Sequence, residues 1–137
     1  MAVDLGSRRV GLAITDDGGR IALPFMTLSK ERKRSDRIRR ILRLGEQNGV
    51  TQYVIGLPLR MNGDEGPEAA AARDFAVQMQ SKTQYVVVLH DETCTTTEAQ
   101  EKLTESGVPQ ERQREMIDQV AAVLILQSWM TRQEQQR

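Results

Sequence analysis

The run Met1-Ala2-Val3-Asp4-Leu5-Gly6-Ser7-Arg8-Arg9-Val10-Gly11-Leu12-Ala13-Ile14 decides how this chain is read. It describes a short apolar strand, a glycine-containing turn and a second strand. Asp4 falls inside the first strand, where a carboxylate is costly to bury unless its charge is compensated. A metal ion would compensate it by oxygen coordination, whereas a structural aspartate would be satisfied by hydrogen bonds at the opening of the turn. Both readings stay open on this run alone.

Working outward, Val10 to Thr15 has strand content, Asp16-Asp17-Gly18-Gly19 is a turn, and Arg20 to Met26 resumes as a strand ended near Pro24. Together these predict an antiparallel three-strand meander. From Arg34 to Asn48, Ile38, Ile41, Leu42 and Gly45 recur at helical spacing, with arginines over the remaining surface. Gln52 to Leu57 is a short apolar strand stopped by Pro58, followed by the turn-rich Asn62-Gly63-Asp64-Glu65-Gly66. Pro67 suits a first helical turn, and Ala72, Phe75, Ala76 and Met79 give the next helix one buried face. Tyr85 to Leu89 is apolar without alternation, as expected of a central strand covered on both faces, and leads into His90-Asp91-Glu92. Thr95-Thr96-Thr97-Glu98 fits a capping box, with Thr95 as N-cap of a helix reaching Ser106. A polar segment, Gln110 to Glu115, then precedes a last helix from about Met116 to Thr131. The order βββαβαβαα predicts an α/β domain over 1–137, built as a mixed five-stranded sheet (the antiparallel meander plus two parallel strands) with helices on both faces. The tail from about 131 to 137 is expected to fray.

The chain has 137 residues, 39% hydrophobic and 28% charged, which suffices for one full core. No apolar stretch approaches the ~20 residues that span a bilayer, and the start lacks the regions of a signal peptide, so no membrane association and a cytoplasmic location are expected. The single Cys94 cannot form an intramolecular disulfide, in keeping with a reducing compartment. Its 19 basic and 19 acidic residues cancel, but Lys30 to Arg43 holds eight basic residues against two acids. Such a patch attracts phosphates, or is simply a solvated helix face. Aromatic residues make up 4%, so base stacking along a single strand is not a major source of affinity, and recognition by backbone charge and shape is expected.

Three positions compete for one place. If the first strand lies centrally, Asp4 sits close to the end of the Tyr85 strand, where Asp91 and Glu92 follow, and open α/β sheets place their sites at such strand ends. Asp118 shares a helical stripe with Ala122, Ile125 and Trp129, so its carboxylate belongs to a packed face. Each acid also has an ordinary reading: Asp118 as a helix-start aspartate favoured by the macrodipole, Glu92 as a solvated loop acid, Asp91 as a turn or cap residue. Chemistry supplies a reason for converging them, because two Mg²⁺ or Mn²⁺ ions held by several carboxylates can activate a water and stabilise the leaving oxygen of a phosphodiester.

Four motifs in order, Ala2-Val3-Asp4-Leu5-Gly6 with Arg9-Val10-Gly11-Leu12-Ala13, Val54-Ile55-Gly56-Leu57-Pro58 with Asn62-Gly63, His90-Asp91-Glu92-Thr93 with Thr96-Thr97-Glu98-Ala99, and Ile117-Asp118-Gln119-Val120-Ala121-Ala122-Val123-Leu124-Ile125-Leu126, carry a resemblance over nearly the whole chain. It resembles the YqgF/RuvX family, a bacterial group of Holliday-junction-resolvase-like nucleases with an RNase H-like fold. The resemblance implies that Asp4, Glu92 and Asp118 are the catalytic, metal-binding carboxylates, with Asp91 a neighbouring acid, and that Mg²⁺ or Mn²⁺ is the cofactor. It also implies a hydrolase acting on structured nucleic acid, in 5′-end maturation of pre-16S rRNA within pre-ribosomal particles or in resolution of four-way DNA junctions. Thr93 departs from the family pattern, which usually has arginine there. With three residues before Asp4, the first strand is expected to be short and the chain to begin later than its relatives.

If the fold is right, Arg60, Arg112 and Arg114 flank the acids and Arg8 and Arg9 follow Asp4 in the hairpin, five candidates for holding phosphate. His90 either assists proton transfer or makes ordinary hydrogen bonds, and Cys94 reads as a buried or half-buried thiol. Two other classes compete with a nuclease. An actin-like ATP-binding protein needs a second phosphate loop that 137 residues do not supply. A non-catalytic RNA-binding assembly factor would use the acids only for structure. A monomer suits RNA trimming, whereas junction resolution calls for a homodimer.

Overall fold

Side chains alternate in size along the first two strands, and that alternation gives the sheet two unlike faces. Val3, Val10 and Leu12 point to one side, Ala2, Gly11 and Ala13 to the other. The computed structural model describes residues 1–6, 8–29, 33–92, 107 and 109–136. Its strands are β1 (Ala2–Leu5), β2 (Arg9–Thr15), β3 (Ala22–Ser29), β4 (Gln52–Pro58) and β5 (Val86–Glu92). They order as β3-β2-β1-β4-β5, with β1, β2 and β3 antiparallel and β1, β4 and β5 parallel. This is the meander plus two parallel strands that the sequence predicts, with β1 at its centre.

Among the described residues three helices cover the sheet: α1 (Arg34–Gln47), α2 (Pro67–Gln80) and α3 (Gln110–Gln135). On the large-residue face, Ile38 and Ile41 of α1 and Ala69, Ala72, Phe75 and Met79 of α2 pack on Val3, Leu12, Ile55 and Leu57. On the small-residue face α3 packs, setting Ala122, Ile125 and Leu126 against Ala2, Ala13, Ala22 and Val54. The small residues let the helix come close. A Cβ on Gly11 would collide with the Asp118 backbone, and one on Gly56 would come within 2.6 Å of Ile125 Cδ1.

Several boundaries differ from expectation. β3 runs through Pro24 to Ser29, because it is an edge strand and a register shift opposite Leu12/Ala13 absorbs the missing N–H donor. β5 is an edge strand in the five-stranded sheet, not a central one, and Val86 is 55% exposed. His90, Asp91 and Glu92 belong to β5 itself. α3 starts at Gln110, not near Met116: Gln110 to Glu115 are good helix formers, and their polarity speaks to burial and not to helicity. The segment expected to fray is helical to Gln135, although Thr131 to Gln136 are all exposed. The capping-box helix from Thr95 to Ser106, Thr93 and Cys94 lie outside the described residues, as do Lys30 to Arg32 of the basic patch.

Candidate active site

Parallel pairing brings the carboxyl ends of β1, β4 and β5 to one edge of the sheet. Asp4 is next to last in β1 and Glu92 is last in β5. Strand alternation turns both toward the small-residue face, since Ala2 and Val88 pack on the α3 side. α3 delivers the third carboxylate. Asp118 sits nine residues into the helix, two turns past its start, so the macrodipole is not what accounts for it. Its backbone lies against Gly11, the residue paired with Asp4 in the β1–β2 ladder, and its Oδ1 lies by Gly6.

The two aspartates share a charged, water-poor corner. Burial, and secondly the Asp118 carboxylate, push the Asp4 carboxyl up from 3.8 to about 7. Asp118 is held from the other side by Arg9, whose Nε donates to Asp118 Oδ2 at 2.7 Å. The aspartate side chain is 14% exposed. Gln119, one residue on, donates its Nε2 to Thr27 Oγ1 at 3.1 Å and fastens this turn of α3 to β3. Glu92 stands farther along: β4 lies between β5 and β1, a separation of about 10 Å between strand axes. Among the described residues no group of three or more His, Cys, Asp or Glu side chains is drawn together closely enough to hold a metal ion.

The donor chemistry nonetheless fits a hard divalent cation. Asp4 and Asp118 offer oxygen ligands, and the Asp4 carboxyl is raised first by its burial and second by the Asp118 charge, both of which a bound cation would offset.

The remaining candidates separate by place. Asp91 faces away from this corner: it is exposed and close enough to Arg73 of α2 for their charges to interact, on the side where its alternate neighbours Val87 and Leu89 pack. Arg8 is exposed in the β1–β2 turn at the same edge as Asp4. Arg9 is engaged with Asp118. Arg60 is exposed in the loop after β4, its guanidinium lying over Gly66. Arg112 and Arg114 fall in the first two turns of α3, with side chains outside those described. His90 is buried, and its Nε2 shares a hydrogen bond of 2.8 Å with Ser128 Oγ of α3. Burial, then the Arg132 charge, lowers its pKa. Sequence reasoning missed two features, the Arg9–Asp118 pair and the His90–Ser128 link. The small alternate residues Ala2, Gly11, Ala13 and Gly56 were the available sign that a helix comes close here.

Comparison with known proteins gives the family. Residues 1–132 match the family model RuvX, described as Holliday junction resolvase. Similar curated proteins carry the name "Putative pre-16S rRNA nuclease". One from Mycobacteroides abscessus is 41% identical over 95% of this chain and 79% of its own length. One from Myxococcus xanthus is 38% identical, covering 95% and 85%. One from Pelotomaculum thermopropionicum is 39% identical, covering 100% and 89%. The Thermus thermophilus RuvC structure aligns over 94% of both chains at 12% identity, with a TM-score of 0.43. The match over nearly the whole chain, with the aspartates of its first and last motifs meeting at one sheet edge, places the chain in the RuvX (YqgF) Holliday junction resolvase family.

Proposed function

We propose that this protein is a metal-dependent nuclease that hydrolyses phosphodiester bonds in structured nucleic acid, and that its substrate is the 5′ end of pre-16S rRNA. The observation that carries the reading is the half-buried Asp4 carboxyl, set beside Asp118 at the carboxyl edge of the sheet and pushed up to about 7. A protein uses such a costly corner where a cation is to be bound. Asp4, Asp118 and Glu92 would hold one or two Mg²⁺ or Mn²⁺ ions. When bound, these supply Lewis-acid stabilisation of the phosphate oxygens and a water of lowered pKa.

The chain's own residues do the rest. Arg9 fixes the Asp118 carboxylate in one orientation through its Nε–H. Gly11 and Gln119 fix the height of α3 over β1, and so the approach of Asp118 to Asp4. Arg8 and Arg60, exposed at the same edge, would hold substrate phosphates, and Arg112 and Arg114 lie on the helix start beyond Asp118. Water is the attacking group in this reading.

The family description favours a second substrate, a four-way DNA junction, which would need two copies of the site. End-labelled pre-16S leader RNA and a four-way junction, incubated in parallel with Mn²⁺, Mg²⁺ or chelator, separate the two. Metal-dependent cutting that is lost in Asp4→Asn, Glu92→Gln and Asp118→Asn is the expected result. Cutting that survives in chelator, or in all three variants, removes the mechanism. Tight RNA binding without cutting would instead make the protein a non-catalytic assembly factor.

A further inference from the structure

The loop that leaves β4 is built with more order than a connection needs. Arg60 N–H donates to Asp64 O at 2.9 Å, and Gly63 N–H donates to Arg60 O at 2.8 Å. Asn62 closes the turn by accepting from Asp64 N–H and donating to its carboxylate, both at 3.0 Å. Gly63 supplies the left-handed backbone (φ 87°) that the turn requires. At the loop's base Leu59 bridges Glu65, and Glu65 makes a two-pronged ion pair with Arg73 Nε and Nη2 at 2.6 and 2.7 Å. Leu59 N–H also donates to the backbone oxygen of Glu92 at 2.9 Å, so the loop is tied directly to a site carboxylate residue.

What this frame presents is Met61, 92% exposed at the tip. Single apolar side chains on a surface are ordinary. Met61 differs in place: among the described residues the other exposed large hydrophobics lie at the start of β3 (Ile21, Leu23), along α2 (Val77) and at the start of β5 (Val86), away from the edge where Asp4 and Glu92 end their strands. None of the aromatic side chains is exposed for a base to lie on. Tyr53 and Phe75 are buried, and Phe25, Tyr85 and Trp129 pack against the two cores. Methionine is unbranched and polarisable, and lies well against an aromatic ring.

We propose that the 59–66 loop reads the substrate, with Met61 packing on the open face of a nucleobase beside the scissile phosphate. The substrate class follows: a strand end, bulge or branch point offers such a face, and a continuous duplex, with every face stacked, does not. The inference rests on the nucleic-acid reading above and names the substrate feature that the same site selects.

The test uses the full chain with Mg²⁺ or Mn²⁺ and two substrate pairs: an RNA hairpin with a 5′ single-stranded leader against a continuous RNA duplex, and a four-way DNA junction against a continuous DNA duplex. Wild type is expected to cut the interrupted member about tenfold faster than the duplex, a difference Met61→Ser reduces to about threefold or less and Met61→Leu restores. The melting temperature should not move, because so exposed a side chain buries nothing in the fold. A preference that survives intact in Met61→Ser overturns the proposal, and the better-cut pair tells RNA from DNA. Binding of the same pairs in chelator, followed by fluorescence anisotropy, keeps the two readings apart. If wild type cuts nothing, the nuclease reading fails, while a binding preference lost in Met61→Ser still supports the loop's role and equal binding by both proteins overturns it.

Discussion

Asp4 lowers the stability of the fold it belongs to. Its folded carboxyl titrates near 7, against 3.8 for an ordinary aspartate, so the native state holds this proton more tightly than the unfolded chain does. Stability contributed by this group is therefore greatest below pH 3.8, falls as pH rises toward 7, and is lowest above it, with a slope of about 1.4 kcal/mol per pH unit between those two values. In chelator, Asp4→Asn is expected to melt higher than wild type at pH 8 and to lose most of that advantage at pH 5, while cutting nothing in metal. Equal melting curves at both pH values would show that the corner is not strained by charge. Gly11 is the steric counterpart. Gly11→Ala forces a methyl group into the Asp118 backbone, and a loss of roughly 1–3 kcal/mol is expected in denaturant titration. Asp4 stands out in the sequence, because a carboxylate inside an apolar strand is conspicuous. The Arg9–Asp118 pair was not, since its partners are 109 positions apart and nothing local couples them.

At the scale of elements, α3 unites the site and one core. Ile125 fills the space over Gly56, so Ile125→Ala should cost roughly 2–5 kcal/mol in urea unfolding. Arg9→Gln should behave in the opposite way. Its pair with Asp118 is partly exposed, so a stability change of no more than about 1 kcal/mol is expected, while cleavage falls because Asp118 loses its orientation. An Arg9→Gln enzyme with wild-type turnover would take that arginine out of the site. Helix and strand identities followed from periodicity: Ile38, Ile41 and Gly45 of α1, and Ala72, Phe75, Ala76 and Met79 of α2, are buried as their spacing implies. Boundaries did not follow, because the apolar stripe of α3 fades at Glu115 while helix-forming residues continue to Gln110. The edge position of β5 was equally hidden. A run of valines looks the same in the middle of a sheet as at its rim.

At the scale of the whole molecule, zero net charge conceals polarity. Along α1, Arg39, Arg40 and Arg43 are exposed around Asp36, which itself binds Arg39 at 2.9 Å. Counter-ion release from such a face is expected to steepen the salt dependence of nucleic-acid binding, so the double variant Arg39→Ala/Arg43→Ala should reduce the slope of log K against log salt by about 1–2 without altering the rate at saturation. An unchanged slope would leave this helix face merely solvated. The two faces of the sheet differ in a further way, in what the sequence could afterwards become. On the α1–α2 side, large side chains interlock and can be exchanged for others of similar volume. On the α3 side, Ala2, Gly11, Ala13, Ala22 and Gly56 leave no room for growth. A library of all single substitutions should therefore split along the plane of the sheet, with truncations selected against on one side and enlargements on the other, so that evolutionary freedom would gather in the helices that carry none of the candidate acids.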